Sequence, residues 1–178
     1  MSNIVYIAAS LDGYIADKNG SVDWLHELPN PEGSDMGFGE LMERVDGLVM
    51  GRNTFEMVLS FGVDWPYNKP VFVLSNRLTQ LPEGVEDKAF LLNGTPKEVM
   101  SKINALGYNN LYIDGGVTIQ NFLKADLIDE MIITTIPVLL GGGSPLFGDL
   151  LEPLKFSYVK SEPLLDCVVK NYYFRARD

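Results

Sequence analysis

The chain has 178 residues and a net charge of −10, from 14 Lys and Arg against 24 Asp and Glu. With 46% apolar and 21% charged residues it is a globular composition of single-domain length (residues 1–178), which excludes a disordered chain. No membrane span, no signal peptide and no disulfide are expected, since apolar runs are short, the start lacks a basic segment and Cys167 is the one cysteine.

These features fit a cytoplasmic protein. The acidic balance repels nucleic-acid backbones, so that partner class is not expected. A phosphorylated small molecule would need a local basic pocket.

Ile4 to Ser10 is a short apolar run and reads as a buried strand. Leu11-Asp12-Gly13-Tyr14 turns the chain. Lys18 to Gly33, with Gly20, Pro29, Pro31 and no periodicity, reads as a long loop of the kind that serves as a lid or binding loop. From Ser34 or Asp35 to Val45 a helix is expected, with Phe38, Leu41, Met42 and Val45 at helical spacing. Gly47 to Met50 reads as a strand, Asn53 to Ser60 as a helix, Val71 to Leu74 as a strand and Phe90 to Leu92 as a weaker one. Thr95-Pro96-Lys97-Glu98 is a capping box with Pro at the first helical position, opening a helix to about Leu106. Asn110 to Asp114 is a strand, Gly115-Gly116 a tight turn and Val117 to Lys124 a helix. Glu130 to Leu140 reads as a long β-branched strand ending in Gly141-Gly142-Gly143. Phe156 to Ser161 and Val168 to Phe174 read as an antiparallel pair.

Strand and helix alternate, then strands follow. The pattern predicts an α/β fold: a mostly parallel twisted sheet flanked by helices, with antiparallel C-terminal strands. In such sheets ligands bind at the carboxyl ends of the strands. Gly51-Arg52-Asn53-Thr54 stands at one such end and reads either as a phosphate site at a helix start or as a turn with a solvated Arg. Ser75-Asn76-Arg77 stands at another. It suits an adenosine 2′-phosphate, or is a Ser turn leaving the sheet. Asp114-Gly115-Gly116 stands at a third. Paired glycines let a pyrophosphate approach the backbone, or serve close strand–helix packing, while Asp114 repels phosphate and suits proton transfer. His26, the one histidine, lies in the long loop without a triad or zinc signature, and no metal is expected. Trp24, Phe38, Trp65 and Tyr67 flank the loops as pocket or core residues.

Met50-Gly51-Arg52-x-Thr54, Leu74-Ser75-Asn76-Arg77 and Ile113-Asp114-Gly115-Gly116, in this order and spacing, resemble the dihydrofolate reductase superfamily. The opening Ile7-Ala8-Ala9-Ser10-Leu11-Asp12-Gly13-Tyr14-Ile15-Ala16 and the tail Pro137-Val138-Leu139-Leu140-Gly141-Gly142 are more similar to its branch related to the C-terminal reductase domain of the bifunctional riboflavin biosynthesis protein. The resemblance implies an NADPH-dependent reductase of a small heterocyclic or ribosyl substrate, of the 5-amino-6-(5-phosphoribosylamino)uracil reductase type, and a homodimer. It implies that Arg52 and Thr54, with Gly51, hold cofactor phosphates and that Ser75, Asn76 and Arg77 surround the 2′-phosphate. It further implies that Gly115, Gly116, Val117 and Thr118 bind the pyrophosphate and that Ala9 and Ala16 meet the nicotinamide. For the substrate side it implies Asp35 or Asp114 as acid, with Trp24, Phe38, Lys69 and Thr134 around the substrate. Lys69 stands where folate reductases carry an Arg, and gives a point charge in place of a bidentate fork. A second class is a non-catalytic nucleotide-binding module that has lost the reductase substrate.

Overall fold

The structure is a computed structural model that describes residues 1–177. Its first half runs β1 (Ser2–Ser10), β2 (Tyr14–Ala16), α1 (Asp23–His26), α2 (Phe38–Arg44), β3 (Gly47–Gly51), α3 (Arg52–Ser60), β4 (Val71–Leu74) and β5 (Ala89–Leu92). The second half runs α4 (Pro96–Ala105), β6 (Asn110–Asp114), α5 (Gly116–Lys124), β7 (Glu130–Ile136), β8 (Ser144–Pro145), β9 (Phe156–Leu164) and β10 (Val168–Arg175).

Eight strands form one sheet in the order β5-β4-β3-β6-β1-β7-β10-β9. The first six run parallel, and β10 then pairs antiparallel with both β7 and β9. The expected α/β class is therefore present. The sheet is covered on both faces, which is why the central strands read as continuous apolar runs. On one face α4 and α5 press Val99, Ile103, Ile119 and Phe122 against Val5, Val49, Leu111 and Ile113. On the other, α2 and α3 press Leu41, Met42 and Phe55 against Ile4, Leu48, Met50 and Tyr112.

Local chemistry sets the element ends. The capping box of α4 is complete: Thr95 Oγ1 accepts the Glu98 N–H at 3.3 Å and the Glu98 carboxylate accepts the Thr95 N–H at 2.8 Å. Such a cap is worth about 1 kcal/mol. The long strand expected to Leu140 stops at Ile136, because Pro137 has no N–H to continue a ladder. Pro163 is tolerated inside β9 because that strand is the sheet edge. The helix expected from Ser34 or Asp35 starts only at Phe38, since Met36 and Gly37 take positive φ values of 56° and 91°. The expected loop from Lys18 to Gly33 contains the one-turn α1.

Two very short strands complete the picture. β2 and β8 pair antiparallel, Tyr14 against Pro145 and Ala16 against Ser144. This ribbon stands beyond the carboxyl ends of β1 and β7. Asp12 ties its base: the carboxylate accepts the N–H groups of Leu140 at 3.1 Å and Gly141 at 2.8 Å. Those bonds hold its pKa below the ordinary carboxylate range, after the larger contribution of the Ser10 hydroxyl.

Candidate active site

The six parallel strands all end on one side, and the helices that follow β3 and β6 begin there. Between these ends and the β2–β8 ribbon lies a cleft of about 1180 Å³. A single small-ligand pocket holds roughly 300–1,000 Å³, so the cleft has room for more than one such ligand.

One end of the cleft gathers groups of positive potential. α3 starts at Arg52 and α5 at Gly116, and neither has a side-chain cap. Their first N–H groups thus lack partners within the helix and concentrate positive potential. The two starts interlock through glycine. A Cβ on Gly115, at φ 92°, would collide with Thr54 Oγ1 of α3. A Cβ on Gly51 would stand 3.0 Å from Thr118 Oγ1 of α5. Each glycine thus admits the threonine of the opposite helix. Arg52 lines the same wall and keeps only a 3.9 Å pairing with Glu56. Beyond β4, Ser75 Oγ accepts the N–H groups of Arg77 at 3.1 Å and Leu78 at 3.0 Å. This Ser turn presents Asn76 and Arg77 to the cleft. Among the described residues Arg77 has no carboxylate partner.

The other end, at β6 and β1, is apolar with one acid. Ile7, Ala8, Ile15 and Tyr67 line it beside Asp114. Asp114 is partly buried, and protein crowds its carboxyl. Burial pushes its pKa up to about 6 from 3.8, against the lowering effect of the Gly115 N–H, 2.8 Å away, and of the Tyr112 hydroxyl. The one proton of the Tyr112 hydroxyl goes to the Tyr6 carbonyl, at 3.1 Å. Burial, and then the nearby Asp114 charge, raise the pKa of both Tyr67 and Tyr112, so both stay phenolic. Behind Tyr67 stands Trp65, edge-on at 5.4 Å, and behind that Phe55 at 6.0 Å. The Trp65 indole N–H is buried without a partner among the described residues.

Of the residues singled out in the sequence, Ala16, Gly51, Arg52 and Thr54 line the cleft, as do Ser75, Asn76 and Arg77. So do Asp114, Gly115, Gly116, Val117 and Thr118. Six others lie elsewhere. Ala9 points into the core under α4 and α5, and its neighbour Ala8 lines the cleft. Asp35 is exposed, and both of its oxygens accept backbone N–H groups, from Gly37 and Gly39 at 2.9 Å, which hold its pKa below the usual carboxylate range. Phe38 packs on Tyr6 and Tyr112 at the start of α2. Thr134 is buried in β7, registered between Ala8 and Lys170. Lys69 precedes β4, at the amino ends of the strands, where its charge faces Asp46. Trp24 is on α1 and does not line the cleft, although Val22 and Leu25 beside it do.

Sequence reading did not assign Asn93 and Gly94, which line the cleft after β5, or the clasp at Asp12. The strand-end rule, applied to the weak β5, was the available signal for the first pair.

The sheet order, the antiparallel last strands and the cleft at the carboxyl ends define a dihydrofolate reductase-like fold. Dihydrofolate reductase from Enterococcus faecalis, in a structure with NADP(H), superposes with a TM-score of 0.67 at 17% identity, over 99% of this chain and 97% of that one. The chain belongs to the RibD C-terminal domain family, whose model matches residues 3–169. A protein of Shewanella sp. PV-4 assigned to riboflavin biosynthesis is 64% identical over 99% of this chain and 100% of its own, with a TM-score of 0.97. The Bacillus subtilis protein YwjB is 36% identical over 97% of both chains. The diaminohydroxyphosphoribosylaminopyrimidine deaminase/5-amino-6-(5-phosphoribosylamino)uracil reductase of Thermotoga maritima shares the fold, at 16% identity and a TM-score of 0.74. This chain spans 56% of that longer protein.

Proposed function

We propose that this protein is an NADPH-dependent reductase, the whole chain forming one reductase unit that delivers a hydride to a C=N or C=O carbon of a small heterocyclic substrate. One observation carries the reading. Two uncapped helix starts, a positive-φ glycine and two arginines meet in one cleft on a protein of net charge −10. That arrangement suits a single polyphosphate ligand better than any extended anion.

The residues fit that cofactor on geometric grounds. Gly115 and Gly51 let the two helix starts approach closely by admitting Thr54 and Thr118, and those starts offer N–H groups to a pyrophosphate. Arg77 on its Ser turn offers a fork to a 2′-phosphate, and Arg52 adds charge between the two. When bound, the cofactor supplies the hydride, which no side chain can do. The chain's own task is to align the substrate in the apolar end and keep water out. Asp114 is the acid in that end. A carboxyl whose pKa stands near 6 holds a proton over part of the physiological range and can release it to a substrate nitrogen or oxygen, directly or through one water. The Gly115 N–H, 2.8 Å from Asp114 Oδ1, fixes its orientation.

The test is a fluorescence titration of the protein with NADPH and NADH. Saturable NADPH binding, with NADH at least about tenfold weaker, is expected from one charged hydrogen-bond pair to the extra phosphate. Equal affinities, or none, would sink the reading.

A further inference from the structure

Asn-Gly occurs twice in the chain, at Asn19-Gly20 and Asn93-Gly94. A glycine after asparagine has no Cβ to screen its backbone nitrogen from the asparagine side-chain carbon. Such a pair can cyclise where the glycine N–H is free and the side chain can turn onto it. All four residues are exposed, so access does not separate the pairs. Their hydrogen bonds do.

At the first pair the Gly20 N–H donates to the Asp17 carbonyl at 3.0 Å, and the Asn19 N–H donates to Asp17 Oδ1 at 2.8 Å. At the second, the Gly94 N–H and the Asn93 side chain have no hydrogen-bond partner among the described residues. The Lys102 ammonium donates to the Asn93 carbonyl at 2.9 Å. That oxygen belongs to the same peptide unit as the Gly94 nitrogen. A cation on it stabilises the charge this unit gains on losing its proton, which makes the nitrogen a better nucleophile. The Glu98 carboxylate, near Gly94, acts in the opposite sense, but it already accepts the Thr95 N–H at 2.8 Å and the Thr95 hydroxyl at 3.0 Å.

The second pair also stands at the cleft. Leu92, the last residue of β5, accepts the Ser75 N–H at 3.0 Å, so Asn93 leaves the sheet beside the turn that carries Arg77. Both Asn93 and Arg77 line the cleft.

We propose that Asn93-Gly94 is a deamidation site, primed by Lys102, that turns a neutral amide at the cleft edge into a carboxylate. The Gly94 nitrogen bonds to Asn93 Cγ, and the side-chain nitrogen leaves as ammonia with the Gly94 proton. Water then opens the cyclic imide at either carbonyl, to aspartate or isoaspartate. One amide and one water become one acid and one ammonia, and nothing is oxidised or reduced. The new charge stands beside Arg77 and opposes an anion there. That consequence for the cofactor rests on the proposed reductase reading; the covalent step does not.

The experiment incubates the full chain in mildly alkaline buffer and follows each pair by peptide mass spectrometry and an isoaspartate assay. Acid should accumulate at position 93 about tenfold faster than at position 19, where a hydrogen bond must first break. In guanidinium chloride the two rates should converge. In Lys102→Met the rate at position 93 should fall by about tenfold and the rate at position 19 should hold. Equal rates in the folded chain overturn the proposal. So does a difference that persists in guanidinium chloride, or a rate at position 93 that is unchanged or raised in Lys102→Met. Fluorescence titration then compares the parent chain with Asn93→Asp, whose NADPH affinity should be about tenfold weaker. Equal NADPH affinity in the two overturns the effect on the cofactor and leaves the reductase reading standing. A parent chain that binds no NADPH overturns that reading and the effect with it, while the two deamidation rates still decide the covalent step.

Discussion

The two ends of the cleft are built in opposite ways. At β3 and β4 the recognition groups are backbone N–H groups and arginines within a few residues of a strand end, open to solvent and engaged by little else. At β6 and β1 they are an enclosed acid, two phenols and aliphatic side chains drawn from separated parts of the chain. In the proposed function the first end recognises charge through preset dipoles. In the same proposal the second works by withholding water and shifting a proton equilibrium. An acidic protein can hold a polyanion at the first end because its few local cations act at short range, inside the Debye length of about 10 Å at 0.1 M salt.

The sharpest way to break this contrast is Asp114→Asn. If the acid end supplies the proton, turnover should fall by about 10²- to 10⁴-fold. In the parent protein the rate should decline as pH rises through about 6, as the carboxyl loses its proton, and this limb should vanish in the variant. A pH–rate profile in the presence of NADPH decides it. The same group bears on stability with a definite sign. Its folded pKa is raised from 3.8, so its contribution is full below that pH and is lost as pH rises toward 6, by about 3 kcal/mol. Urea melts across that window should be flatter in Asp114→Asn.

Gly115→Ala attacks the anion end through its backbone. The added methyl is strained at φ 92° and collides with Thr54 Oγ1, so the Thr54 side chain or the helix start that carries it must shift. A loss of more than about 1 kcal/mol in stability is expected, together with loss of NADPH binding. Thermal melts and a titration read the two effects separately.

The smallest effect sharpens the contrast within the anion end itself. Arg77→Ala should weaken NADPH by roughly 10- to 100-fold and leave NADH almost unchanged. Arg52→Ala should weaken both cofactors alike, by about tenfold. If the two variants behave identically toward both cofactors, the assignment of separate phosphates is wrong.

Legibility in the sequence follows the same division. Gly51-Arg52-x-Thr54, Ser75-Asn76-Arg77 and Asp114-Gly115-Gly116 were readable because each is contiguous and lies at the end of an apolar run, where a parallel sheet collects its ligands. Lys69 shows how little separates a place at the cleft from one outside it. It lies two residues before β4 and so falls at the opposite pole of the sheet from Ser75, just past the other end of the same strand. Asp35 has the right chain position for an acid, but its oxygens are spent on the backbone of a turn shaped by Met36 and Gly37. That turn, with φ positive at a methionine, has no periodic signature. Tyr67 and Trp65 were visible only as aromatic residues near a loop, because the segment between α3 and β4 carries no repeat that says which way a ring points. β2 and β8 were out of reach for a different reason. Strands of three and two residues, paired across more than a hundred positions, leave no pattern within either segment.

That small ribbon has a mechanical meaning. Asp12 bonds it to the turn after β7, the Leu146 N–H bonds to the Gly13 carbonyl at 2.9 Å, and at Gly143 any side chain would strike the Ala16 carbonyl. The segment that leaves the first strand and the segment that leaves the seventh are thus riveted together. A guest that displaced one of these segments would have to carry the other with it or break the bonds that Asp12 makes between them.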